Sequence, residues 1–312
     1  MWDRRHLLGL KDMEREDIEL ILDNARSFKE VSDRDVKKVP ALRGRTVVNL
    51  FFENSTRTRM SFELAAKRLS ADVINFAAST SSLNKGETML DTLKTIESYS
   101  TDIFIVRHCH STAALYLSRN TASSIVNAGD GQNEHPTQAL LDMFTVRERL
   151  GTLEGLKVAI LGDIAHSRVA RSNIWGFSKF GARVYACGPA TLIPPCFDQM
   201  PCTVTYSLEE ALTDADVVIM LRIQRERQRE MFFPSTQEYI KYFSLNRESI
   251  RLLKPEALVM HPGPVNWDVE IDSAVKDRVF PVILEQVNNG LAVRMAVLYL
   301  LRPADDTAMV ES

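Results

Sequence analysis

Seven stretches of this chain gather hydroxyls, guanidiniums, amides and imidazoles in patterns suited to anions. Residues 53–59 (Glu-Asn-Ser-Thr-Arg-Thr-Arg) join an apolar run to an amphipathic one. Free backbone N–H groups at a helix start, with the hydroxyls of Ser55, Thr56 and Thr58 and the guanidinium of Arg57, make a phosphate site. Read blandly, the same residues are an N-cap with incidental arginines. Residues 77–87 hold Ser82 and Lys85 among small hydroxyl residues. Alone they read as a surface loop; Lys85 gains a purpose if the loop closes over a polyanion. Arg107 directly follows a β-like run. The adjacent His108 and His110 suggest a metal, but no carboxylate or cysteine is taken to complete a set, and both are read as non-ligands. Residues 127–138 form a glycine-rich loop feeding a helix whose first turn carries His135 and Gln138, three apart and on one face. A lone histidine there is more often structural. Gln138 beside it offers a donor and an acceptor, which suits an amide-like group.

The second half repeats the pattern. Residues 162–173 hold His166, Arg168 and Arg171 after a β-like run. They look superficially like a dinucleotide turn, but the G-x-G-x-x-G fingerprint is missing. Arg222 and Gln224 alternate onto one face where another β-like run ends. In His261-Pro262-Gly263-Pro264 the prolines stiffen the loop and leave backbone carbonyls free.

These stretches need elements to hold them. Residues 46–52 are apolar on both faces apart from Asn49, as in a buried parallel strand. Phe62, Ala65, Ala66 and Leu69 then recur at helical spacing, and Glu63 can pair with Lys67. Strands are expected at 73–76, 103–106 and 125–127, with a helix near 88–99 and another from Pro136. After residues 151–155 the alternation restarts: strands at 157–161, 183–187, 216–221 and 258–260, helices at 167–180, 208–212 and 284–301. Repeated βα units predict α/β architecture: two doubly wound parallel-sheet domains with the active site in the cleft between them. The expected boundaries are 1–150, 151–283 and a C-terminal helix, 284–312, packing back on the first domain. In such folds ligands bind beyond the carboxyl ends of strands, where the loops above lie.

The bulk properties narrow the function. The chain has 312 residues, 45% hydrophobic and 25% charged, with a formal net charge of −3 and no large basic block, which argues against nucleic acid. Cys109, Cys187, Cys196 and Cys202 form no CxxC pair and no zinc-like spacing, and read as reduced thiols. The N-terminal stretch does not read as a secretory signal, and the most apolar segment, 291–301, is interrupted by Arg294 and too short for a bilayer. A cytoplasmic protein without membrane contact is expected.

Taken together, S-T-R-T-R after a strand, S-x-x-N-K-G-E, the arginine after the third strand and D-G-x-x-x-H-P-T-Q-A-L-L-D resemble the aspartate/ornithine carbamoyltransferase family. The similarity runs from about residue 7 to 301. The second half, with G-D-I-x-H-S-R-V-A-R-S-N, M-L-R-I-Q-x-E-R and M-H-P-G-P, is closer to the aspartate-accepting members. Ornithine-accepting members carry H-C-L-P where this chain has His261-Pro-Gly-Pro. The resemblance implies transfer of the carbamoyl group of carbamoyl phosphate to the amine of L-aspartate, a step of pyrimidine biosynthesis, with no cofactor and no metal. It assigns the phosphate to Ser55, Thr56, Arg57 and Thr58, and the carbonyl oxygen to Thr58, Arg107 and His135. The carbamoyl NH2 falls to Gln138 and the carbonyls near Gly263 and Pro264, and the aspartate carboxylates to Lys85, Arg168, Arg222 and Gln224. Arg57, Thr58, Arg107 and His135 are thereby the catalytic set. It also implies a homotrimer with shared active sites, in which Ser82 and Lys85 of one subunit serve the next, and it leaves open regulatory chains or a dihydroorotase partner. One departure stands out. Where the family usually reads N-R-G-V-E-I, this chain has Asn266-Trp267-Asp268-Val269-Glu270-Ile271, which removes a positive charge near the aspartate side.

Two other classes fit less well. A dinucleotide-dependent oxidoreductase rests only on the turn at 161–163, and the absent glycine fingerprint argues against it. A passive phosphate-binding module would not need two complementary sets of cationic loops.

Overall fold

The computed structural model describes residues 2–77, 87–223 and 235–302. Ser82, Lys85, Gln224, Arg225 and Arg227 lie outside them.

Two parallel sheets dominate. The first has strands β1 (Thr46–Phe51), β2 (Asp72–Ala77), β3 (Ile103–His108) and β4 (Ser124–Asp130) in the order β2-β1-β3-β4. Helices α2 (Thr56–Arg68), α3 (Met89–Glu97) and α4 (Ala113–Ser118) connect them. The second has β5 (Lys157–Leu161), β6 (Arg183–Cys187), β7 (Thr203–Thr205), β8 (Val217–Met220) and β9 (Leu258–Met260) in the order β7-β6-β5-β8-β9. Its helices are α5 (Pro136–Leu150), α6 (Arg168–Ser178), α7 (Leu208–Leu212) and α8 (Thr236–Phe243). Helices α1 (Arg15–Ser32) and α9 (Lys276–Leu300) lie towards the two ends of the chain.

Within the described residues the chain packs as two compact units: 2–8, 20–131 and 291–302 around the first sheet, and 9–19 and 132–290 around the second. Thus α5, assigned by position in the sequence to the 1–150 domain, packs with α6 in the second unit. Residues 291–302 group with the first unit, where Arg294 donates to the Ser61 hydroxyl at 2.9 Å and lies over the Phe62 ring.

The strands form where the chain is apolar on both faces, because helices cover both sides of each sheet. Val48, Leu50, Phe104, Val106 and Ile125 pack with Leu93, Ile96 and Leu117 in the first unit. Leu161, Val218, Met220 and Val259 pack with Leu212 and Ile283 in the second. Each fully buried side chain of this size contributes about 1.5–3 kcal/mol. Asn49, the polar exception in β1, is fully buried and donates to the Asn75 side chain on β2 at 2.9 Å. On α2, Phe62, Ala65, Ala66 and Leu69 are buried, and Lys67 meets Glu63 at 2.6 Å.

Several elements exceed the sequence expectation. Helix α1 was not expected, although Ile18, Ile21, Leu22 and Ala25 follow the helical period and are fully buried. Helix α9 starts at Lys276 rather than 284. The short elements α4, β7 and α8 carry too few residues for a periodic signal. No helix among the described residues is long and apolar enough to cross a membrane.

Both sheets have a point where the strand order reverses. In the first it lies between β1, whose successor β2 is on one side, and β3 on the other; in the second it lies between β5 and β8. Loops leaving the carboxyl ends of these strands diverge and leave a crevice for ligands.

The N-terminal segment is tied to the first sheet through a histidine. His6 Nδ1 accepts the Ile125 N–H at 3.1 Å, and burial, then the neighbouring Arg5, lowers its pKa below the ordinary 6.5. Below pH 6.5 the unfolded chain therefore binds a proton that the folded chain resists. This contribution to stability is complete above 6.5 and lost as pH falls through it. We expect the thermal midpoint to drop between neutral pH and about pH 5.5, and His6→Asn, whose amide oxygen can accept the same N–H without titrating, to drop less. Thermal scans of both proteins across this range test it; equal falls would remove His6 as the cause.

Candidate active site

At the reversal of the first sheet, Phe51 is paired with Arg107, and the Phe52 N–H donates to the Arg107 carbonyl at 2.9 Å. The loop after β1 and the end of β3 are thus held side by side. Arg107 Nη1 donates to the Ala128 carbonyl at 3.0 Å, and Nη2 meets Glu53 at 3.4 Å. The partly buried guanidinium is therefore fixed before any ligand arrives. Ser55 is the N-cap of α2, but its hydroxyl makes no cap hydrogen bond. Thr56 and Arg57 are exposed and Thr58 is half-buried.

At the reversal of the second sheet, the Leu221 N–H donates to the Leu161 carbonyl at 2.7 Å. A Cβ on Gly162 would lie 3.0 Å from the Leu221 carbonyl oxygen and 3.2 Å from the Tyr239 hydroxyl, so only glycine lets the two strand ends approach this closely. Arg168 opens α6 and is buried, and half-buried Arg222 follows β8. Asp163, fully buried, takes both the backbone N–H and Nδ1 of His166, the latter at 2.7 Å. That histidine serves the loop's own shape.

The helix starts at these loops break an electrostatic rule. A helix N-terminus carries partial positive charge and favours acidic residues. Helices α1, α3, α7 and α8 obey, with Glu16 and Asp17, Asp91, Glu209 and Glu210, and Glu238 in their first turns. Helices α2, α5 and α6 have no acidic residue there, and α2 and α6 begin with Arg57 and Arg168 instead. Positive charge at a positive helix end adds to its attraction for an anion.

His135 is the N-cap of α5, buried, with Pro136 next. Its N–H donates to the Ser172 hydroxyl at 2.9 Å; that hydroxyl donates to Glu134 at 2.8 Å. Glu134 also accepts the N–H groups of Leu10 at 2.7 Å and Lys11 at 3.2 Å. The sequence reading singled out neither Glu134 nor Ser172, and only the fold brings their partners together.

A buried carboxylate organises the remaining residues. Asp142 Oδ1 accepts from Gln138 Nε2 at 3.0 Å and Gln286 Nε2 at 2.8 Å, and Oδ2 accepts from Asn173 Nδ2 at 2.9 Å. An ionised carboxylate only accepts, so it turns both glutamine amides nitrogen-first towards itself. Gln286 Oε1 then accepts the His261 N–H at 3.0 Å, and His261 Nδ1 accepts the Gly263 N–H at 2.7 Å. Glu270, also fully buried, takes the Ile223 N–H and the Asn266 amide, each at 3.0 Å, and so ties the 261–266 loop to the residue after Arg222. Gln138, Gly263, Pro264 and Arg222 thus stand on one connected hydrogen-bonded frame.

The Trp267-Asp268 departure has a local account. Asp268 has φ of 63°, which glycine adopts freely and Asp tolerates better than most residues. Its carboxylate accepts the Ser273 N–H at 2.8 Å. Trp267 packs edge-on against Phe280, and Lys276 Nζ stands 5.2 Å from the indole centroid. The lost cation is thus accompanied by a lysine over the new aromatic ring.

Asp142→Ala would strip a common acceptor from the amides of Gln138, Asn173 and Gln286. We expect a loss of about 3 kcal/mol or more of unfolding free energy, because hydrogen bonds to a charged group are worth about 1.5–3 kcal/mol each. Denaturant unfolding checks this; a loss below about 1 kcal/mol would mean that the amides find other partners.

Residues 5–148 match the family described as aspartate/ornithine carbamoyltransferase, carbamoyl-P binding domain, and residues 154–301 match the Asp/Orn binding domain of the same family. The chain is 57% identical over 303 residues to the aspartate carbamoyltransferase catalytic subunit of Syntrophus aciditrophicus, covering 97% of this chain and 99% of that one. It is 58% identical over 297 residues to that of Pelotomaculum thermopropionicum, covering 95% and 96%. Among solved structures, Trypanosoma cruzi aspartate transcarbamoylase in complex with N-(phosphonacetyl)-L-aspartic acid superimposes with a TM-score of 0.88 at 30% identity, covering 97% of both chains. The catalytic subunit of M. jannaschii aspartate transcarbamoylase gives 0.83 at 35% identity, covering 96% of this chain and 98% of that one. With both domain families matched in order and relatives above half identity along nearly its whole length, the chain belongs to the aspartate/ornithine carbamoyltransferase family.

Proposed function

We propose that the protein transfers the carbamoyl group of carbamoyl phosphate to the amine of L-aspartate, giving N-carbamoyl-L-aspartate and phosphate. The observation that carries this reading is the reversed charge at the helix starts: α2 and α6 place arginines where α1, α3, α7 and α8 place acids. Such ends suit a dianionic phosphate and a dicarboxylate. Relatives at 57–58% identity bear the name of this activity, and related structures are complexes with carbamoyl phosphate, aspartate and carbamoyl aspartate.

In this reading Ser55, Thr56, Arg57 and Thr58 hold the phosphate at the start of α2. Thr58, Arg107 and His135 meet the carbonyl oxygen as negative charge develops on it. Asp142 supports the role of Gln138. With its nitrogen held by the carboxylate, Gln138 offers Oε1 to the carbamoyl NH2, which also donates to the carbonyls of Gly263 and Pro264. Arg168 and Arg222, with Lys85 and Gln224, take the two aspartate carboxylates. The amine lone pair forms the new C–N bond and the C–O bond to phosphate breaks. A departing phosphate oxygen takes the proton lost by the nitrogen. Carbamoyl phosphate is already activated, so positioning and charge stabilisation supply the catalysis, without a covalent enzyme intermediate.

The ligand-binding division at about residue 150, sites completed by Ser82 and Lys85 of a neighbouring subunit, and assembly as a homotrimer belong to the same proposal. Exposed apolar side chains along α2 and the edge strand β2 support an interface between copies: Met60 is 60%, Leu64 44% and Ile74 41% exposed.

Phosphate release from carbamoyl phosphate is expected with L-aspartate and not with L-ornithine; release with ornithine alone would reverse the assignment of the acceptor. Arg57→Ala should lower kcat by about 10²–10³-fold, the usual cost of losing a charge-assisted donor to a developing anion, with little change in aspartate KM. Steady-state kinetics test it, and a near-normal kcat would remove Arg57 from the chemistry.

A further inference from the structure

We propose that His108, Cys109 and His110 form a binding site for a zinc-class divalent cation on the turn that follows β3. From the sequence, no cysteine is taken to complete a set with the two histidines, and both are read as non-ligands. In the fold, one ligand atom from each residue lies within 4.8 Å of the others, the only such cluster of three among the described residues. Cys109 Sγ is 3.9 Å from His108 Nδ1, and the imidazole rings of His108 and His110 are 5.0 Å apart between centroids.

The turn is built rather than loose. His108 ends β3, with its ring against Phe52 at 5.3 Å between centroids. Its carbonyl accepts the Gly131 N–H at 3.0 Å, and Asp130 accepts the Thr112 N–H at 2.6 Å. A Cβ on Gly131 would lie 2.4 Å from the Ser111 nitrogen, so the β4 loop is pressed against this turn through a glycine. The donors are thus presented by backbone fixed at both ends, while the side chains of Cys109 and His110 remain exposed and can rotate.

The donor set matches the cation. Two imidazole nitrogens and one thiolate are ligands that zinc accepts, at about 2.0–2.1 Å and 2.3 Å, which places neighbouring ligand atoms about 3.3–3.7 Å apart in a tetrahedron. Binding requires rotation of the two exposed side chains to close the 4.8 Å spread to that figure. His108 Nδ1 presently accepts the His110 N–H at 2.9 Å, so binding exchanges that hydrogen bond for a metal bond. Water fills the fourth position, as at sites with three protein ligands.

Cobalt(II) reports on such a site, because a thiolate ligand gives a charge-transfer band in the near-ultraviolet. Chelator-treated protein titrated with cobalt(II) should develop this band with one equivalent per chain, and zinc(II) should abolish it by displacement. Cys109→Ser should lose the band, and His110→Ala should bind at least about tenfold more weakly, roughly 1.4 kcal/mol. Both side chains are exposed, and retained carbamoyl transfer without metal verifies folding. Absence of the band in the unmutated protein would overturn the proposal. So would a band that persists in Cys109→Ser, since the metal would then sit on another thiol.

Discussion

The wholly buried carboxylate of Asp142 accepts from Gln138 on its own helix, Asn173 on α6 and Gln286 on α9. A charge in that position needs donors, and each of the three amides points one at it. The requirement propagates. Once Gln286 turns its nitrogen to Asp142, its oxygen can hold the His261 N–H, and His261 can shape the turn at Gly263. Glu270 closes the frame by holding Asn266 and the Ile223 N–H. Removing the carboxylate would free three helices and one loop from a common reference point, so the second unit's candidate ligand groups share one source of order.

The same unit is fastened by a second buried acid, whose partner Ser172 neighbours Asn173 on α6. Glu134 collects Leu10, Lys11 and Ser172, and Ser172 in turn accepts the N–H of His135. The N-terminal residues 9–19 therefore belong to the second unit although the segments around them belong to the first. A Cβ on Gly9 would lie 2.2 Å from the Glu134 carboxylate, which shows how closely the chain is drawn in.

Against this satisfied framework the arginines at the starts of α2 and α6 stand out. Surrounding structure usually agrees with local preference, and departures gather where function demands them. Arg57 and Arg168 add positive charge to the positive ends of α2 and α6, which suits a phosphate or a carboxylate. Arg107, by contrast, is already positioned by Glu53 and the Ala128 carbonyl, so little rearrangement is needed before charge develops beside it.

How much of this was legible depended on the range of the signal. Strands β1, β5 and β8 were readable because burial on both faces writes a continuous apolar run into adjacent residues. The helical period of Phe62, Ala65, Ala66 and Leu69, the Glu63–Lys67 pair and the cationic residues after each strand were local in the same way. Helix α1 was equally periodic and was passed over, while β7, of three residues, had no period to read. The sequence by itself determined the α/β alternation, the candidate ligand groups and their places after strands. Only the tertiary structure decided the strand orders, the transfer of α5 to the second unit, the meeting of Cys109 with two histidines, and the partners of Asp142 and Glu134. Those partners lie as far as 144 and 124 residues away, and a hydrogen bond across such a separation leaves no pattern in the residues on either side of it.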